Sequence, residues 1–325
     1  MAYRRVIRTM KKEDWENSIL EKKTSQNICM TFWWCILHVL CALWKCMKMI
    51  WYWIERIFLV SFLVFLTVGL AWWMSQKPSN YRDWALSESI LPEVSLSWNI
   101  ISIKNVRNHI WTSEKDFTPG YYDATYNLDE IESLHYLIIP FSDRDGPAHT
   151  MLAFSFSWGQ NIVISAEVRK EKGESFDALR WLLNQYEMIY VIADEADIIK
   201  LRTNFRKNMV YMYPIQTPKE KIQDLFRTMV IRADKLSREP EFYNTFWNNC
   251  MTSILMHANA LREEKISWTS KTLLPSHSDE IVYSAGLIDT KLPLSEAREY
   301  YRVDELARNT SSGEIFSQSI RKDIR

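Results

Sequence analysis

The chain has 325 residues, enough for one large domain or two ordinary ones, and its 40 Lys plus Arg balance its 40 Asp plus Glu. That balance leaves no global field to draw it to nucleic acid. Seven glycines provide neither a GxGxxG nor a GxxxxGK(S/T) phosphate loop, and no Cys-x-x-Cys pair supports a cysteine zinc site.

Residues 1–23 are polar and basic, with Arg4, Arg5, Arg8, Lys11 and Lys12, and carry no small-residue cleavage site. The segment is therefore expected to stay attached. Residues 24–74 form a membrane region. Ile57 to Met74 has no charge and ends in Trp72-Trp73, where an aromatic belt would sit, so it is expected to span a bilayer. Thr24 to Trp44 is also uncharged, and the sequence leaves open whether it is a first span or an interfacial helix. The connector between them holds Lys45, Lys48 and Arg56. The positive-inside rule then keeps the connector in the cytoplasm and sends everything after Ser75 outside.

Residues 75–99 read as a linker and 309–325 as a polar tail, which leaves 100–308 as the working domain. Within it, Ile100 to Val106 and Leu134 to Phe141 are expected strands, and 111–130 a long surface segment. Ala148 to Ser157 alternates, with Leu152, Phe154 and Phe156 on one face and His149, Met151, Ala153 and Ser155 on the other. Asn161 to Val168 returns after Trp158-Gly159-Gln160, carrying Val163, Ser165 and Glu167 on one face. A three-residue loop pairs Ser157 with Asn161 and makes His149 and Glu167 diagonal neighbours on one face; a two-residue loop would separate them. Phe176 to Gln185 is an expected helix, Met188 to Ala193 and Val210 to Ile215 strands, and Pro218 to Leu236 a helix with apolar Ile222, Leu225, Phe226, Met229 and Val230.

Cys250 is the only cysteine after the membrane region. It follows Asn248 and Asn249, good helix N-caps, and opens an apolar-periodic run through Ile254, Leu255 and Ala258. A thiol in the first turn of a helix faces unpaired N–H groups and the positive end of the dipole, and both favour the thiolate. The plain alternative is a small buried hydrophobe. A nucleophile needs a base and a group to orient it. Among the histidines, His257 sits two turns up the same helix, and His38 lies in the membrane region. His277 is in a Pro/Ser-rich loop, and His109 and His135 have no polar companion at strand spacing. His149, with Glu167 beside it, is the base of choice. A metal site of Asp143, Asp145 and His149 is a weaker alternative, since that loop reads equally well as a solvated turn.

The ordered set Ala148–Phe154, Ser165–Glu174, Ala193–Asp197, Leu201–Asn204 and Tyr243–Cys250 resembles the Lnb N-terminal periplasmic domain family of bacteria, from about Pro78 to Thr290. Members usually have Thr-Thr after the cysteine, where this chain has Met251-Thr252. The order His, third residue, Asn-Cys is also similar to that of permuted papain-like acyltransferases of the lecithin:retinol type. The resemblance implies an α+β, circularly permuted papain-like domain at the outer face of the bacterial inner membrane. Cys250 would be the nucleophile, His149 the base and Glu167 its orienting partner. The Cys250 N–H and a neighbouring donor such as Asn249 would meet the oxyanion. It implies no cofactor and no metal. The expected chemistry is acyl transfer or hydrolysis through a thioester on a lipid or lipoprotein substrate. A cysteine peptidase or amidase acting on cell-wall peptidoglycan, and a non-catalytic tethered binding module, are the alternatives.

Overall fold

The computed structural model describes residues 2–141, 146–175, 185–311 and 315–321. The chain divides into two units, Met1–Ser75 and Gln76–Arg325. The first is a single helix, α1 (Ala2–Ser75). No proline or glycine interrupts the chain from Thr24 to Val68, so nothing breaks the helix at Lys45–Arg56, and it contains no turn on which two spans could fold back. Its stretch Met30–Ser75 is long and apolar enough to cross a membrane. The side chains there are almost all exposed, as suits a helix surrounded by lipid.

The second unit is α+β. Its strands are β1 (Glu93–Ser97), β2 (Ile100–Arg107), β3 (Ile110–Trp111), β4 (Phe117–Thr118), β5 (Tyr121–Asn127), β6 (Ile131–Pro140), β7 (Ala148–Phe156), β8 (Asn161–Arg169), β9 (Glu187–Asp194) and β10 (Tyr211–Pro214). One sheet runs β1-β2-β9-β8-β7-β6-β10, with β5 paired to β2, while β3 and β4 form a separate hairpin. The pairs are antiparallel except where β2 meets β9 at Arg107 and Ala193. Helices cover both faces. On one face lies α3 (Lys219–Arg238), after the short α2 (Glu195–Lys200) that follows β9. In α3, Ile222, Leu225, Phe226, Met229, Val230, Ala233 and Leu236 recur at helical spacing and all pack against Leu152, Phe154 and Phe156 and their neighbours. The helix α4 (Cys250–Ala260) adds Met251 to the same core. The opposite face packs Met151 and Ala153 under Ile198 and Ile199 of α2 and under Val303, Phe316 and Ile320 of the C-terminal segment.

Several sequence expectations change here. The β7–β8 loop is longer than three residues. Ser155, not Ser157, pairs with Asn161, because Trp158 and Gly159 both take positive φ and the Phe156 N–H closes onto the Gln160 carbonyl. The register therefore shifts by two, which keeps every side chain on its face. The face carrying His149 is buried as well, under helices. Residues 111–130 are not a surface excursion; they contain β3, β4 and β5, with Tyr126 in the core. Residues 75–99 are no free linker either. Asn80 donates to the Leu236 and Ser237 carbonyls, Trp84 lies under the Arg169 guanidinium, and Arg169 donates to the Glu88 and Ser89 carbonyls. Nor is the C-terminal segment merely polar. Phe316 and Ile320 are core residues, and Arg321 holds Glu195 through both carboxylate oxygens. The helix expected at Phe176–Gln185 and the metal partners Asp143 and Asp145 lie outside the described residues, except for Gln185 itself. Among the described residues, no group of three His, Cys, Asp or Glu side chains could hold a metal ion.

Candidate active site

Cys250 is the first residue of α4, and the helix begins there because Asn249 caps it. Asn249 takes extended backbone, its side chain accepts the Thr252 N–H at 2.8 Å, and the Thr252 hydroxyl accepts the Asn249 N–H at 2.8 Å. Thr252, the threonine this chain keeps, thus completes the capping box. Met251, at the divergent position, lies buried with its sulfur 3.4 Å from the Tyr136 hydroxyl. Both amide hydrogens of Asn249 go to carbonyls, of Thr245 at 2.6 Å and Thr272 at 3.4 Å, and Asn248 donates to Phe242 at 2.8 Å. The two asparagines therefore build the turn, and their side chains are committed away from any oxyanion.

The imidazole approaches from the sheet. His149 is the second residue of β7 and is buried, as is Cys250. Its Nε2 lies 2.6 Å from the Ser165 hydroxyl and 3.3 Å from the Glu167 carboxylate, leaving Nδ1 for the sulfur. Ser165 donates in turn to Glu167 at 3.0 Å. Glu167 also receives Arg202 at 3.5 Å, from the irregular turn Leu201–Phe205 that continues α2. Burial alone would raise the Glu167 carboxyl, but His149, Arg202 and Arg107 outweigh it and hold it well below the usual range. Burial works against a charged His149, yet the neighbouring Cys250 and Glu167 raise its pKa. Burial likewise opposes the Cys250 thiolate, but His149 and the facing Thr150 pull the thiol down to about 7.

A second tier fixes the first. Asp197 of α2 holds Arg107 through both of its oxygens and also accepts the His109 N–H and the Trp111 indole N–H. Arg107 thereby keeps its charge behind Glu167. Tyr243 reaches in from the loop before Asn249, and its hydroxyl accepts the Cys250 N–H at 3.3 Å. Burial and the neighbouring Cys250 thiolate raise the phenol well above its usual value, so it keeps its proton. The phenol proton is the donor beside the sulfur, since the Cys250 N–H is given to the phenol oxygen.

All of this opens into a cleft of about 550 Å³. One wall is apolar, with Phe141, Pro147, Val168, Leu273, Leu274 and Pro275; the other end carries Glu114, Arg202, Arg206 and Asn208. Sequence reading reached Cys250, His149 and Glu167, which the fold brings together, although the histidine and the cysteine lie 101 positions apart in the chain. It missed Ser165, Arg202 and Tyr243. The quoted segments do contain all three, and Ser165 lies two residues from Glu167 on its face, the one local signal that could have singled it out.

The whole is an α+β domain with a buried thiol–imidazole–carboxylate array, preceded by an apolar helix suited to a membrane anchor. Residues 117–278 match the family model of the Lnb N-terminal periplasmic domain, and the chain carries a domain of that family. The match is shorter than the resemblance read from about Pro78 to Thr290, but it contains every residue of the array. Family and helix together suggest a membrane-anchored protein with an extracytoplasmic domain. The comparison with curated proteins found no match, and neither did the comparison with solved structures.

Proposed function

We propose that this protein is a membrane-anchored thiol acyltransferase or hydrolase of permuted papain-like type, facing the periplasm from the inner membrane. The observation that carries the reading is the convergence of Cys250, His149 and Glu167 at the inner end of a largely apolar cleft. In this scheme His149 takes the Cys250 proton and the thiolate attacks the carbonyl carbon of an ester or amide. The oxyanion that forms is met by the Tyr243 hydroxyl, and by the Cys250 N–H once it exchanges the phenol oxygen for the substrate's. Collapse expels the alcohol or amine, protonated by the imidazolium, and leaves a thioester on Cys250. An incoming amine or water, deprotonated by His149, then releases the acyl group and restores the thiol. Ser165 and Glu167 keep the imidazole in the tautomer that presents Nδ1 to sulfur.

The apolar wall favours an acyl chain over a peptide. The polar end at Glu114, Arg206 and Asn208 supports amide cleavage of a cell-wall peptide as the second reading. Two thiol-reactive probes separate these, one with a long alkyl tail and one with a short polar peptide. Labelling mapped to Cys250 with the alkyl probe in clear preference, and lost in His149→Ala, is the expected result. Preference for the peptide probe would move the protein to the amidase reading, and no Cys250 labelling by either would end both. Orientation is tested separately by a reporter fused after Arg325 that works only in the cytoplasm and should stay silent.

A further inference from the structure

The segments that line the cleft also carry large apolar side chains on their outer surface. Phe246 and Trp247 lie between the lining residues Thr245 and Asn249, stacked with ring centres 5.9 Å apart. Trp247 is 62% exposed, and Trp268, just before the cap of the short helix Ser270–Leu273, is 55% exposed. Phe141 and Leu274 line the cleft and are themselves exposed. A soluble surface has no need to gather such groups around one opening. Trp and Phe gathered this way suit the boundary between lipid headgroups and acyl chains, where an aromatic ring meets both media.

The chain connection points the same way. Ser79 donates its N–H to Glu187, the first residue of β9, which pairs with Arg169 at the end of β8. At that same end of the sheet lie Pro140 and Phe141 after β6, Ala148 and His149 at the start of β7, and Tyr243, whose N–H goes to Tyr186. The tether thus enters the domain at the end of the sheet where the cleft opens. Only Gln76, Lys77 and Pro78 separate Ser79 from the end of α1, a span of at most roughly 14 Å even when extended. The opposite end of the sheet carries the tips of the β1–β2 and β7–β8 hairpins, with Trp98 and Trp158 more than 90% exposed.

We propose that the rim formed by Phe141, Phe246, Trp247, Trp268 and Leu274 is a second membrane contact, seated in the headgroup region of the bilayer so that the cleft opens onto lipid. The contact rests on α1 as the anchor and holds whether or not Cys250 is catalytic. A lipid surface is the occupant that both the short tether and the aromatic rim select. Partition through several shallow side chains gives a reversible contact that α1 keeps at high local concentration.

The test uses the full chain in vesicles of phosphatidylethanolamine and phosphatidylglycerol. Hydroxyl-radical footprinting of the unmodified protein reads tryptophan oxidation at all four sites at once. Trp247 and Trp268 should be oxidised at least about fivefold less than Trp98 and Trp158, since rings in the interface are screened from water. In parallel, benzoylphenylalanine placed singly at positions 247, 268, 98 and 158 is photoactivated. Lipid adducts at 247 and 268, and none above background at 98 and 158, are expected. Equal oxidation at the four sites overturns the proposal. So does protection at 247 and 268 accompanied by cross-links to a second copy of the chain, which would make the rim a protein interface. Failure of the thiol probes with this pattern intact would remove the enzyme reading and leave the membrane contact standing.

Discussion

The Ser165 hydroxyl stands between His149 and Glu167, 2.6 Å from Nε2 of one and 3.0 Å from Oε1 of the other, while the two also face each other at 3.3 Å. Imidazole and carboxylate are thus linked twice, once directly and once through a hydroxyl that accepts from the ring and donates to the acid. Ser165→Ala removes only the second link. Acylation of Cys250 should slow by about tenfold, on the scale of one lost buried hydrogen bond. Stopped-flow acylation with the alkyl probe measures it. A loss as complete as in His149→Ala would mean that the direct contact does not hold the ring by itself.

Cys250 should alkylate with a midpoint near 7. Its thiolate is favoured by the facing imidazole, whose own pKa is raised by Cys250 and then by Glu167. In Glu167→Gln that support is gone, so the midpoint should climb toward the ~8.5 of a free thiol. Iodoacetamide rates across pH give both curves. An unmoved midpoint in the variant would show that Glu167 has no electrostatic hold on the pair.

Asn249 separates capping from charge. Asn249→Ala loses the acceptor for the Thr252 N–H together with the donors to Thr245 and Thr272, and should cost about 2 kcal/mol of stability, with the Cys250 midpoint nearly unchanged. Asn249→Asp keeps that acceptor but replaces the two donors to Thr245 and Thr272 with a negative charge beside the thiol. Its alkylation midpoint should rise above that of the wild type. The two variants are compared by thermal melts and alkylation curves; the same midpoint in both would contradict the assignment.

Stability should respond to acid through Glu167. Its folded pKa lies well below its unfolded value of ~4.3, so the stability it contributes is present above that value and lost as pH falls through the folded one. His149 has the opposite sense. Its raised folded pKa contributes below ~6.5, and that contribution fades as pH climbs through the folded value. The gap in thermal midpoint between wild type and Glu167→Gln should therefore narrow when the melts are run below pH ~4. A constant gap down to pH ~2 would show that the carboxylate is not the source of the difference.

Cys250→Ser and His149→Ala should each abolish acylation, and the double variant should lose hardly more than either, as expected of groups working in one step. Strictly additive losses would dissolve the dyad and return the protein to a tethered binding module.

The parts of this arrangement that the sequence made legible rest on local rules. An asparagine before an apolar-periodic run marks a helix start, and that located Cys250. Alternation in β7 and β8 placed His149 and Glu167 on one face, even though the loop between them was misjudged by two residues. Ser165 shared that face and passed for a spacer, because a hydroxyl becomes a relay only once two strands set its neighbours. Arg202 and Tyr243 come from an irregular turn and an irregular loop, where no period exists to read. β5 alternates Tyr122, Ala124 and Tyr126 against Asp123 and Thr125, but proline, glycine and acids around it masked the pattern. Asn80, Trp84 and Glu88 looked like linker because their partners are more than 80 residues away.

The turn at Trp158-Gly159 never touches the sulfur, yet the register it closes governs the site. From Ser155 to His149 the strand covers about 20 Å, and along that whole distance even steps keep the imidazole and the carboxylate together while odd steps part them. A change that slides β8 against β7 by two positions would keep the two on one face. A single extra residue passed into the ladder would point His149 and Glu167 to opposite sides of the sheet with every side chain of the site unchanged. An extra residue that stays in the tip leaves the pairing of Ser155 with Asn161 as it is, so length is free to change there and nowhere along the ladder.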